Sequence, residues 1–173
     1  LQYEGYPSWL YPVKNGATTI WERLNSYTVK DGFGENNSMN SFNHYSFGAV
    51  ASWMYNYSLG ICRDEKSPGF KHFILKPEVD PTRGITHAEG YYDSMYGRIR
   101  SRWQYTDSGI RYEFTVPANT TASLYLPAPA VSFISENGKP LKKASGVRYV
   151  SADKELHHLE LASGSYQFDI KQK

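Results

Sequence analysis

The sequence predicts a mixed α and β chain, the tail of a helical domain followed by a complete antiparallel β-sandwich. Three observations carry this prediction. In SFNHYSFGAVASWMYNYSLGI, residues 41–61, Phe47, Val50, Met54, Tyr57 and Ile61 recur at spacings of three and four, the period of one helix face. From Gly69 onward the texture changes to short alternating segments separated by turn residues. The aromatic residues, 4 Trp, 15 Tyr and 8 Phe among 173, are spread unevenly, with Trp9, Trp21 and Trp53 all in the first third. The expected division is 1–66, helical or irregular, and 67–173, sandwich.

Each element has its own signal. A short helix is expected from Gly16 or Ala17 through Leu24, in GATTIWERL, where Thr18 and Thr19 suit an N-terminus better than a helix interior. The long helix has Ser41 or Asn43 as candidate N-cap, and Gly60 stands where helices commonly end in the left-handed conformation. Between the two, VKDGFGENNSMN (Val29–Asn40) is rich in Gly, Asn and Asp and reads as a loop. In the second half, GRIRSRWQY and IRYEFTV flank TDSG and read as a hairpin. Alternation puts Arg98, Arg100 and Arg102 on one face of its first strand and Ile99, Ser101 and Trp103 on the other. TASLYLPA, VSFISENGKPL, GVRYVSA, KELHHLELA and SYQFDIK supply the remaining strands. A sandwich of this size folds on its own, whereas the apolar faces of the first 60 or so residues need partners that this chain does not supply.

Composition excludes several classes. Nineteen basic against 17 acidic side chains leave a net charge of +2, without the basic footprint of a dedicated nucleic-acid binder. One cysteine, Cys62, excludes an internal disulfide framework and a Cys-rich zinc module. No run of 18 apolar residues is present, so no membrane span is expected. The first residues, LQYEGYPSWLYP, lack the pattern of a signal peptide and an initiator Met, which points to a chain cut from something longer.

Few residues have the makings of chemistry. Glu22 sits between Trp21 and Arg23, so it is open to two readings: a carboxylate desolvated by a large aromatic for proton transfer, or a surface partner of Arg23. His44, at the start of the long helix, is either a neutral capping or core histidine or a ligand contact. His72, His87, His157 and His158 show no metal-like spacing, and adjacent His157 and His158 face opposite sides of a strand, so no metal site is expected. The arginine stripe is either a solvated face paired with carboxylates or a binder of acidic sugars or phosphate. Cys62 has no base placed to activate it.

Taken together, GATTIWERL, SMNSFNHYSFGAVASWMY, LGI, PGFKHFILKP and YGRIRSRW resemble the C-terminal portion of bacterial α-L-rhamnosidases of glycoside hydrolase family 78. The resemblance is strong over residues 7–103 and looser through ENGKPL and SGSYQFDI. It implies the last helices of an (α/α)6-barrel catalytic domain in 1–66 and a C-terminal β-sandwich in 67–173. It also implies hydrolysis of terminal α-L-rhamnosides with inversion. Glu22, in the WER motif, would be the general base, and His44, in the NHY motif, a rhamnose contact in the −1 subsite. No role passes to Trp21 or Asn43. The Val29–Asn40 loop would lie near the barrel mouth, where substrate contacts are expected.

An inverting pair needs its two carboxyl groups roughly 6.5–9.5 Å apart. In this family the acid lies in an upstream motif that the chain lacks, so the chain alone is expected to be inactive. The resemblance implies a rhamnosyl-containing carbohydrate as substrate and the upstream part of a parent polypeptide as partner, with no cofactor, nucleic acid or membrane. Self-association through uncovered helices is a further expectation. A single cysteine fits a cytoplasmic or a periplasmic or secreted location equally. The alternative reading is a non-catalytic carbohydrate-binding or structural sandwich, with Trp103 and Tyr105 as stacking candidates, although alternation places Trp103 in the core.

Overall fold

The computed structural model describes residues 3–34 and 38–171. The chain divides into two compact units, Leu1–Ser52 and Trp53–Lys173.

The first unit is mostly irregular. Its helix α1 is a little over one turn, Leu10–Lys14, and the Tyr11 N–H donates to Ser8 Oγ (3.0 Å) at its start. The helix expected over 17–24 does not form. Backbone groups that would make helical bonds pair instead with residues 41–44, and the Thr19 hydroxyl donates to the Phe42 carbonyl. This is the competition from short polar side chains and distant partners that weak helix formers lose. The same pairing delays the long helix. Residues 41–44 are committed to 20–22, so helical geometry begins at Ser46, and neither Ser41 nor Asn43 is its N-cap. The run is a 3-10 turn (Ser46–Ala49), then α2 (Val50–Trp53), then a π-helical turn (Met54–Ser58). Full-length barrel helices are therefore absent among the described residues. Of the five residues expected on one apolar face, Phe47, Met54 and Tyr57 are exposed, at 37%, 48% and 47%. Ile61 is not helical and belongs to the first strand.

Gly60 ends the run in the left-handed region (φ +66°), as expected, and its carbonyl accepts the Lys76 N–H at 2.8 Å. A Cβ there would lie 2.0 Å from the Pro77 nitrogen, so only glycine fits the close approach.

The second unit is a β-sandwich. One sheet is ordered β1 (Ile61–Arg63), β2 (His72–Leu75), β6 (Thr121–Pro127), β10 (Leu156–Leu161), β9 (Val147–Asp153). The other is ordered β3 (His87–Ser94), β4 (Gly97–Thr106), β5 (Gly109–Val116), β11 (Gly164–Lys171), β7 (Ile134–Glu136), β8 (Lys139–Pro140). The predicted hairpin is present as β4–β5, with Trp103 opposite Tyr112. Pairing is antiparallel except between β2 and β6, which run parallel with His72 opposite Thr121. The chain between β2 and β6 passes through β3, β4 and β5 of the other sheet, so it returns in the same direction.

The core lies between the sheets. Phe73, Leu75, Leu124, Leu126 and Leu159 from one side meet Ile99, Trp103, Tyr112, Phe114 and Phe168 from the other, all buried. Two buried side chains of β4 hold the end of the π turn and the residue after it. Trp103 Nε1 donates to the Ser58 carbonyl (2.8 Å) and Ser101 Oγ to the Leu59 carbonyl (2.6 Å). They satisfy carbonyls that a helix end leaves without intrahelical partners.

Candidate active site

The two motifs that carry the resemblance lie side by side in the first unit. Glu22 N–H donates to the Ser41 carbonyl (2.8 Å), and Ser41 N–H donates to Glu22 Oε2 (2.7 Å). His44 N–H donates to the Ile20 carbonyl (2.8 Å). Backbone and side chain of Glu22 thus grip the same residue, which holds the carboxylate in one orientation. Its other oxygen, Oε1, has no hydrogen-bond partner among the described residues, and a carboxylate oxygen without a partner is what a base needs to take a proton from water. Neither Arg23 nor any other described cation forms an ion pair with Glu22.

His44 is half-buried, and its Nδ1 accepts the Ser46 N–H at 3.3 Å. That contact assigns the neutral ring's proton to Nε2, a donor suited to a sugar hydroxyl. The imidazole is parallel to the Tyr45 ring, 6° between planes with centroids 5.6 Å apart.

Behind the paired strings lies a closed circuit of four rings. Trp21 meets Phe42 (5.1 Å), Phe42 meets Phe33 (5.5 Å), Phe33 meets Tyr27 (5.2 Å) and Tyr27 meets Trp21 (6.4 Å), all edge to face. Such pairs contribute about 0.5–1.5 kcal/mol each beyond their burial. The circuit ties the Val29–Asn40 loop, through Phe33, to both motifs. Residues 35–37 of that loop lie outside the described residues. Asn40 Nδ2 donates to the carbonyl of buried Ser26 (3.2 Å), whose hydroxyl donates to the Arg23 carbonyl (2.7 Å). Tyr27, Phe33 and Phe42 were not singled out as site residues from the sequence. The signal was the uneven aromatic count, which marks a cluster without saying which rings meet.

The other candidates separate cleanly. Arg98 makes a two-point contact with Asp93 (2.7 and 3.0 Å), and this pairing raises the arginine and holds the Asp93 carboxyl below its ordinary range. Arg102 lies 3.7 Å from Glu89 and 3.4 Å from Glu113. Two of the three stripe arginines are therefore carboxylate-paired. Burial pushes the Cys62 thiol up, and its Sγ donates to the Asn56 carbonyl (3.1 Å), which is unsuited to a nucleophile. His157 is buried and His158 lies on the opposite face, 3.0 Å from Glu160. Trp103 is 1% exposed, and Tyr105 has Arg83 over its ring at 4.6 Å, so neither offers the open platform that sugar stacking needs.

Comparison with known proteins decides the family. Residues 1–58 match the model of the bacterial alpha-L-rhamnosidase 6 hairpin glycosidase domain, and residues 60–140 that of the bacterial alpha-L-rhamnosidase C-terminal domain. The chain belongs to the bacterial α-L-rhamnosidase family. It is 36% identical over 169 residues to an alpha-L-rhamnosidase of Alteromonas sp. (strain LOR), covering 96% of this chain and 16% of that protein. It is 33% identical over 168 residues to one of Formosa agariphila, covering 97% and 18%. The Streptomyces avermitilis α-L-rhamnosidase, solved in complex with L-rhamnose, superposes with a TM-score of 0.80 at 32% identity, covering 99% of this chain and 15% of that one. The chain thus spans about a sixth of the length of the rhamnosidases it matches.

Proposed function

We propose that this chain is the part of a longer inverting α-L-rhamnosidase that carries the general base. Glu22 takes a proton from the water that attacks the anomeric carbon, and His44 donates from Nε2 to a hydroxyl of the rhamnose in the −1 subsite while the aglycone departs. The observation that supports this most directly is the clasp between Glu22 and Ser41, which lays TTIWER against NSFNHY and leaves one carboxylate oxygen unengaged.

Inversion asks for a second carboxyl group, the acid, across a gap of roughly 6.5–9.5 Å that holds the water. Among the described residues the first unit has two other carboxylates, and both are occupied: Glu4 pairs with Lys14, and Asp31 takes part in a turn with Thr28. The acid comes from elsewhere in the longer polypeptide, together with the helices that cover Phe47, Met54 and Tyr57. The 173-residue chain by itself is then inactive. Incubating the purified chain with p-nitrophenyl α-L-rhamnoside tests this, and clear turnover would overturn it. For the longer polypeptide, proton NMR of the first-formed sugar reads the stereochemistry. The β-anomer is expected, and initial release of α-L-rhamnose would exclude inversion.

A further inference from the structure

The six-stranded sheet has a cleft of about 550 Å³ on its solvent face, remote in sequence from Glu22 and His44. Two rows of side chains cross it, each formed by directly paired residues on β3, β4, β5 and β11. One row is Glu89, Arg102, Glu113 and Gln167. It is closed on itself: both carboxylates reach Arg102, whose guanidinium also donates to Gln104 (2.9 Å). The next row is Tyr91, Arg100, Thr115 and Ser165. Here the Arg100 guanidinium and the Thr115 and Ser165 hydroxyls have no hydrogen-bond or ion-pair partner among the described residues. The Tyr91 ring is held in place by the Arg98 guanidinium 3.7 Å from its centroid.

Along a single strand the stripe Arg98, Arg100 and Arg102 looks uniform, but the fold treats its members differently. Arg98 and Arg102 are paired with carboxylates, and of the three only Arg100 has no such partner among the described residues. The row spans three inter-strand gaps of about 4.8 Å, or about 14 Å, which is the length of an oligosaccharide rather than of one ring. A planar guanidinium recognises a carboxylate through two parallel hydrogen bonds. The flanking Thr115 and Ser165 hydroxyls and the Tyr91 edge offer acceptors and donors for sugar hydroxyls.

We propose that this face is a binding site for a carboxylate-bearing oligosaccharide, with Arg100 holding the carboxylate and Tyr91, Thr115 and Ser165 holding the neighbouring sugar. That the anion belongs to a glycan rests on the rhamnosidase reading above. The site itself does not involve Glu22, so its failure leaves the catalytic assignment standing.

The test is isothermal titration of the 173-residue chain with trigalacturonate and with its fully methyl-esterified form, which keeps the hydroxyls and removes the charge. Binding of the acid form is expected, with affinity at least about tenfold weaker for the ester and for Arg100→Gln, the scale of one charge-assisted hydrogen bond. Arg100 is exposed, so Arg100→Gln retains the fold, and its circular dichroism spectrum checks this. Thr115→Val, a second variant on the same row, is expected to weaken binding without altering the preference for the acid. No binding of the acid form, equal affinity for acid and ester, or an Arg100→Gln variant that binds like the parent chain would each overturn the proposal.

Discussion

Gly60→Ala is the sharpest test of how the residue after the π turn packs against the 76–77 segment. Three costs follow from the structure. The residue sits at φ +66°, and the left-handed region costs an L-residue with a side chain about 1–2 kcal/mol. The new Cβ would lie 2.0 Å from the Pro77 nitrogen and 2.1 Å from the Lys76 carbonyl carbon, and backbone atoms cannot swing aside as a side-chain tip can. Relieving that overlap moves the 76–77 segment, at a cost of the order of 1–3 kcal/mol for overpacking. The same movement breaks the Lys76 N–H to Gly60 carbonyl bond (2.8 Å), worth about 1 kcal/mol. The sum is about 3–6 kcal/mol. With a slope of about 1–3 kcal/mol per molar urea, the unfolding midpoint followed by far-ultraviolet circular dichroism should fall by more than about 1 M. Gly138→Ala is the control, since Gly138 also has a positive φ (+73°) but nothing lies within 4 Å of a Cβ there. It should cost only about 1–2 kcal/mol. Equal losses at the two positions would show that the close approach at Gly60 contributes nothing.

Other outcomes follow from single groups. The Tyr112 hydroxyl is fully buried without a hydrogen-bond partner among the described residues, so Tyr112→Phe should be neutral or stabilising by up to about 1 kcal/mol in the same urea experiment, and a loss beyond 1 kcal/mol would reveal a partner. Burial raises the Cys62 thiol, so less of it is thiolate at pH 8 than in an unstructured peptide, and alkylation by iodoacetamide should be slower; labelling at the peptide's rate would contradict the assigned environment. Phe47, Trp53, Met54, Tyr55 and Tyr57 are all exposed on one short stretch, so light scattering of the isolated chain should show mass rising with concentration. A mass fixed at that of one chain across the range would count against it.

How much of this was legible in the sequence depended on range. The β4–β5 hairpin was, because two-residue alternation and a Gly-containing turn are local signals, and alternation alone placed Trp103 inside and the arginines outside. The parallel pairing of β2 with β6 was not, since a strand's own pattern says nothing of its neighbour's direction. The missing helix at 17–24 and the late start at Ser46 have one cause. Hydrogen bonds between residues 19–22 and 41–44 compete with local helical ones, and no periodicity within either string records a partner about 20 residues away. Glu22 and His44 stood out through the strings that hold them, whereas the aromatic circuit behind them needed coordinates. The three arginines show the same limit: identical in pattern, they differ in what the adjacent strands place opposite them.

Glu22 is proposed as the general base. Glu22→Gln, made in the longer polypeptide proposed to contain this segment, tests it most directly, because glutamine's carbonyl oxygen can still accept the Ser41 N–H and so preserves the clasp. Measured on p-nitrophenyl α-L-rhamnoside, kcat should fall between about 10²- and 10⁴-fold while KM changes little. An unchanged kcat would contradict the assignment.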